Sequence, residues 1–143
     1  MKISAGVAIV WKDKVLVVHP KSGSWYNSYA PPKGGIEVGE ESIEAAVRET
    51  KEEIGIKVKK SDLLDPFTVN YKNGNGEIYK KVILYPLVIK KLSQIGLKSE
   101  KVPLEQLQLS EVDDARFMSL TEMKGRILPR YQEHMEELLK KYS

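Results

Sequence analysis

Apolar and polar residues alternate from Ile3 to Val10, with Ile3, Ala5, Val7 and Ile9 interleaved with Ser4, Gly6 and Ala8. This is the period of a strand. Val15-Leu16-Val17-Val18 predicts a second strand after the polar turn Lys12-Asp13-Lys14, so the chain opens with a hairpin. The segment from Pro20 to Gly39 is rich in Gly, Pro, Ser and Asn. It is too long for a simple connection, and long loops in compact domains are often functional. Between Glu41 and Ile54 the period changes. Ile43, Ala46, Val47, Thr50 and Ile54 recur at helical spacing, and Gly55 is placed to end the helix. Leu63-Leu64, Phe67 to Tyr71 and Tyr79 to Ile89 then predict strands, the last two joined by the hairpin-turn sequence Lys72-Asn73-Gly74-Asn75-Gly76. The run Val82 to Ile89 predicts a buried central strand with a bulge or an edge at Pro86. Ile127, Leu128, Tyr131, Met135, Leu138 and Leu139 predict a closing helix over Ile127 to Tyr142, with Pro129 tolerated in its first turn. Strands interspersed with two helices point to an α/β/α sandwich in one domain, residues 1–143.

Composition narrows the chemistry. Cysteine is absent, which excludes disulfide scaffolds, thiolate metal sites and cysteine nucleophiles, and His19 and His134 lack metal-ligand spacing. A metal would therefore be held by oxygen. His19 is read as the end of a strand, and Lys140-Lys141 as the solvated end of the last helix. Lys and Arg number 23 against 20 Asp and Glu, a net charge of +3, so no stable nucleic-acid partner is expected. No apolar run approaches a membrane span and no signal-peptide core is visible, so the expectation is a cytoplasmic protein, monomeric or homodimeric.

The polar side of the central helix carries Glu49, Glu52 and Glu53 at i, i+3 and i+4, an arc of roughly 100°. Like charges so placed repel, and by themselves would describe an acidic solvated face. Ahead of them runs Pro31-Pro32-Lys33-Gly34-Gly35-Ile36-Glu37-Val38-Gly39-Glu40, a glycine-bearing loop able to bring backbone carbonyls next to a ligand. Carboxylates with carbonyl oxygens suit Mg²⁺, or Mn²⁺ in its place, and such cations in turn bind phosphate oxygens.

The pattern Gly34-x₅-Glu40-x₇-Arg48-Glu49-Thr50-x-Glu52-Glu53-x-Gly55-Ile56 resembles the signature box of the Nudix hydrolases. Thr50 departs from the bulky aliphatic residue usual there; it approximates Val in shape and lies on the apolar stripe. The resemblance implies a mixed sheet between helices, with a central catalytic loop-helix-loop and a C-terminal helix. It also implies metal-dependent hydrolysis of a nucleoside diphosphate linked to another group. On it, Glu49, Glu52 and Glu53 would be metal ligands, one of them helping to deprotonate the attacking water. Gly34 or Gly35 would lend a carbonyl, and Arg48 and Glu40 would orient the acids. Without the family, Arg48 reads as an i, i+4 ion pair with Glu44 or Glu52. Glu111, six residues before Phe117, resembles a further acid of the family that reaches the same metals; Asp113 and Asp114 are alternatives, and Glu100 and Glu105 weaker ones.

Within the family, Trp25 and Pro31-Pro32-Lys33-Gly34, with Thr50 after Arg48-Glu49, are most similar to the asymmetric diadenosine tetraphosphate hydrolases, although Trp25 lies further from Pro31 than in their usual form. The diphosphoinositol polyphosphate phosphohydrolases share the Pro-Lys-Gly feature. The resemblance thus implies a small nucleoside polyphosphate substrate, with Lys33 and Lys81 on its phosphates and Tyr79, Tyr85 or Tyr71 on its bases. Lys80 and Lys81 are neighbours on one strand and face opposite ways, so only one can reach the site; Lys81 is preferred from its similarity to these hydrolases. Four alternatives stay open: a pyrophosphatase of ordinary or oxidised nucleoside triphosphates, a diphosphoinositol polyphosphate phosphohydrolase, an RNA 5′-pyrophosphohydrolase, and a module that senses a nucleotide without turning it over.

Overall fold

The computed structural model describes residues 1–23 and 26–143; Trp25 lies outside the described residues. Six strands, β1 (Lys2–Trp11), β2 (Lys14–Pro20), β3 (Lys33–Gly35), β4 (Phe67–Lys72), β5 (Ile78–Ile89) and β6 (Val112–Ser119), form one sheet. Its order is β4-β5-β1-β2-β6, with β3 also on β1. β1 runs parallel to β5 and antiparallel to β2 and β3, so the sheet is mixed.

Period-two alternation divides the core in two. Val7, Ile9, Leu16 and Val18 face one way, onto Ala45, Ala46 and Ile54 of α1 (Ser42–Ile54). Ala8, Val10, Val15 and Val17 face the other way, with Tyr131, Met135, Leu138 and Leu139 of α3 (Pro129–Tyr142) and Met123 of the short α2 (Leu120–Met123). Both faces of β1 are covered, which is why its interior is apolar almost without a break.

Helix α1 begins where Glu41 donates its backbone N–H to the Glu44 carboxylate (2.9 Å), one half of a capping box. It ends at Gly55, whose φ of 67° lies in the left-handed region and whose N–H returns to the Lys51 carbonyl. Pro86 fits inside β5 for a geometric reason. Its carbonyl accepts from Leu64 N (2.8 Å) on the side away from β1, and in a strand a residue's nitrogen points the same way as its carbonyl, so no bond of the β1–β5 ladder is lost. Leu63-Leu64 is not the strand its two leucines predict. A 3-10 turn at Lys60–Asp62 leads into it, and the segment reaches the sheet through that one bond, too short to establish a ladder.

What makes the fold a scaffold for a site is that β1 and β2 part company. They pair only beside their turn, at Val10–Val15 and Trp11–Lys14. Further along, the free edge of β1 is taken by β3 (Ser4–Gly35, Ala5–Gly34, Gly6–Lys33), and β2 is bridged by Ala30 through Val18. The loop that the sequence leaves without regular structure thus supplies β3 and a bridge. Among the described residues no helix is long and apolar enough to cross a membrane.

Candidate active site

The split between β1 and β2 opens a cavity of about 430 Å³. One wall is acidic, with Glu49, Glu52 and Glu53 from α1 and Glu111 from the segment before β6. Gly34 and Gly35 of β3 line it as well, together with Lys33, Lys2 and Lys80.

Glu49 reaches the cavity because Gly34 has no side chain. A Cβ at Gly34 would lie 2.0 Å from the Glu49 carboxyl carbon, so the carboxylate rests where any other residue would put its first carbon. Arg48 holds the acids from the side. Its guanidinium grips Glu40 through two bonds (2.8 and 2.9 Å) and donates to Glu49 (2.8 Å), Glu52 (3.1 Å) and the Gly35 carbonyl (2.9 Å). The Arg48 hydrogen bonds, with the Glu37 N–H, hold the Glu40 carboxyl down at about 2. Arg48 is therefore more than the i, i+4 ion pair its spacing permits: it joins the loop, β3 and the helix.

Glu53 accepts from the Lys33 backbone N–H and has no guanidinium beside it among the described residues. Burial first, and then the charges of Glu49 and Glu111, push its carboxyl up to about 7 against the pull of Lys33. The oxygen-only donor set of Glu49, Glu52, Glu53, Glu111 and the glycine carbonyls is the hard-ligand chemistry that Mg²⁺ and Mn²⁺ require. Among the described residues no three acidic or histidine side chains close into a ready-made coordination sphere. Four carboxylates around one cavity repel one another, and Arg48 draws two of them aside.

The other acids near β6 are occupied. Asp113 accepts from the His19 ring (Nδ1–Oδ1 2.7 Å), and Asp114, buried, pairs with Arg116 (2.7 Å) and with the Tyr29 hydroxyl. Burial would raise the Asp114 carboxyl, but Arg116 and Tyr29 outweigh it and hold it low. Glu100 pairs with Lys14 on the surface, and Glu105 is exposed. Glu111 alone of these reaches the cavity, where the β2–β6 register slips between His19 and Pro20.

Three of the expected substrate contacts stand elsewhere. Lys80, not Lys81, lines the cavity: it shares a face of β5 with Val82 and Leu84, whereas Lys81 lies on the face of Ile83 and Tyr85. Tyr85 is buried beneath α1 with its hydroxyl on Ser42. Tyr79, 50% exposed, sits off the cavity, edge-on to Tyr71 and against Arg130. Lys2, Gln108 and Ser28 line the cavity unannounced by any motif. Burial lowers Lys33 and Lys80, and neighbouring cations add to this, bringing Lys80 to about 8.

Known proteins share this fold. The chain is 32% identical over 81 residues to an ADP-ribose pyrophosphatase of Methanocaldococcus jannaschii, a match covering 56% of this chain and 48% of that protein. The chain therefore spans about half the length of this relative. Among solved structures, an Ap4A hydrolase of C. elegans in a binary complex superposes with a TM-score of 0.63 at 24% identity, covering 99% of this chain and 94% of that one. A bifunctional NMN adenylyltransferase/ADP ribose pyrophosphatase of Francisella tularensis, complexed with AMP and a Mn ion, gives a TM-score of 0.67 at 17% identity, covering 98% of this chain and 41% of that one. These likenesses show the shared fold. The NUDIX domain model matches residues 1–142, and with the box acids gathered on one cavity, this chain belongs to the Nudix family.

Proposed function

We propose that the chain is a divalent-metal-dependent pyrophosphohydrolase of a nucleoside polyphosphate, and that its substrate is diadenosine tetraphosphate, cleaved to ATP and AMP. The observation that carries this reading is the cavity itself, with four glutamates on one side and Lys2, Lys33 and Lys80 on another. Glu49, Glu52, Glu53 and Glu111, with a carbonyl of Gly34 or Gly35, would hold Mg²⁺ or Mn²⁺. Such a cation supplies positive charge to phosphate oxygens and makes a nearby water more acidic.

The chain's own residues do the rest. Arg48 fixes the directions of Glu49 and Glu52, so that the acids need not be reorganised when substrate binds. The lysines draw in the phosphate chain and orient it. One glutamate takes a proton from water, whose oxygen bonds to a phosphorus of the chain while the bridging P–O bond breaks and its electrons leave with the departing nucleotide. The name of the Methanocaldococcus relative supports a second substrate, ADP-ribose, for the same chemistry.

The test is an anion-exchange product profile. The purified protein is incubated with diadenosine tetraphosphate, ADP-ribose, dGTP, 8-oxo-dGTP and a diphosphoinositol phosphate, each with Mg²⁺ and with chelator. Metal-dependent release of ATP and AMP well above the other reactions is expected. A preference for another substrate overturns the dinucleotide assignment, and no turnover of any overturns the enzyme.

A further inference from the structure

Three lysines line the cavity together with its four glutamates. Lys2 and Lys80 face each other as register partners on β1 and β5, and Lys33 joins them on the cavity wall. Arg130, at the start of α3, lies with its guanidinium 3.9 Å from the centre of the Tyr71 ring; the Lys80 ammonium is 4.9 Å from the same ring. Tyr71 thus gathers Lys80 and Arg130 beside the cavity. Among the described residues, none of these four cations makes an ion pair. Like charges placed opposite one another on neighbouring strands destabilise a sheet. A surface with only a structural role would intersperse them with acids, as Arg48 is surrounded by Glu40, Glu49 and Glu52.

Resting on the proposed pyrophosphohydrolase, we infer that Lys2 and Arg130, with Lys80 and Lys33, form a second pole of the site that holds phosphates beyond the pair being cleaved and so selects linear chains of three or more phosphates. A diphosphate diester brings two negative charges, which a divalent cation held by Glu49, Glu52, Glu53 and Glu111 would neutralise. A triphosphate or a dinucleoside tetraphosphate brings more, and the surplus falls to Lys2, Lys80 and Arg130, which make no ion pair among the described residues, with Lys33 shared with Glu53. Lys2 and Arg130 are exposed, at the beginning of a strand and of a helix, so replacing them removes charge without opening the core.

The experiment compares wild type with Lys2→Gln, Arg130→Gln and the double variant, and with Lys2→Arg as the charge-keeping control. Two readouts are taken: kcat/KM for diadenosine tetraphosphate, ATP and ADP-ribose with Mg²⁺, and affinity for inorganic tripolyphosphate against pyrophosphate by calorimetry in chelator. Each neutral variant should lower kcat/KM for the long-chain substrate about ten- to a hundredfold, the worth of one charge-assisted contact, and for ADP-ribose by a clearly smaller factor. Tripolyphosphate binding should weaken in parallel, and Lys2→Arg should restore it. Whichever of ATP and the dinucleotide loses more identifies the source of the chain. Equal losses for all three substrates, or tripolyphosphate affinity unchanged in the double variant, overturn the inference. If wild type turns over none of the substrates yet the variants weaken tripolyphosphate, the enzyme reading fails and the polyphosphate pole stands. If turnover is normal and neither readout moves, the pole fails and the enzyme stands.

Discussion

Glu53 shows at the scale of one residue what burying a carboxyl among other acids costs. Its carboxyl is pushed up to about 7 by burial and by Glu49 and Glu111, far from an ordinary value of 4.5. A raised carboxylate binds protons more readily folded than unfolded, so between pH 4.5 and about 7 the folded protein holds the extra proton and stability falls as pH rises. The metal-free protein should thus lose on the order of 3 kcal/mol across that window, from this group alone. Thermal melts in chelator at pH 5 and pH 7.5 check the slope; Glu53→Gln, nearly isosteric and neutral, should flatten it and melt higher at pH 7.5. An unchanged slope in the variant would show that another group carries it. The acids were legible in the sequence because i, i+3, i+4 spacing on a helix is a local property. Lys80 was not, since whether it or Lys81 meets the cavity depends on the face that the strand turns inward.

At the scale of the element, the end of α1 matters as much as its acids. Gly55 has φ 67°, and a Cβ there would lie 2.9 Å from both the backbone oxygen and the Cβ of Gln106. Just beyond, Gln108 donates its N–H to the Glu53 carbonyl (2.9 Å), and Glu111 donates its own to Gln108 (2.8 Å). The helix terminus is thereby tied to the segment that delivers the fourth acid. Gly55→Ala should cost about 1–2 kcal/mol in urea unfolding, from the left-handed backbone and the close approach together. Its midpoint should fall with the m-value unchanged; a midpoint equal to wild type would mean that the junction relaxes freely. The terminating glycine and the helix were readable from local periodicity. Strand β3 was not, because Lys33-Gly34-Gly35 has no alternation of its own and becomes a strand only by taking the edge β2 leaves free on β1.

For the whole molecule, folding should be separable from the metal binding proposed above. Two apolar layers, one under α1 and one under α3, hold the sheet without help from the acidic wall. Chelator should abolish hydrolysis reversibly while far-UV circular dichroism stays the same, and Mg²⁺ should raise the melting temperature with concentration, as a ligand of the folded state does. Loss of secondary structure in chelator would show the metal to be part of the fold.

The sequence by itself determined the two periodicities, the helix that carries Glu49, Glu52 and Glu53, the glycine that ends it, and the absence of cysteine. These follow from neighbours a few positions apart, where backbone geometry is repetitive. Only the tertiary structure decided that Arg48 binds Glu40 and Gly35 as well as its helix neighbours, and that Asp113 and Asp114 are taken by His19, Tyr29 and Arg116 while Glu111 lines the cavity. It also decided that Tyr85 lies beneath α1 and that Lys2 stands opposite Lys80. Each of those joins residues far apart along the chain, through strand register and the parting of β1 from β2, which no local pattern encodes.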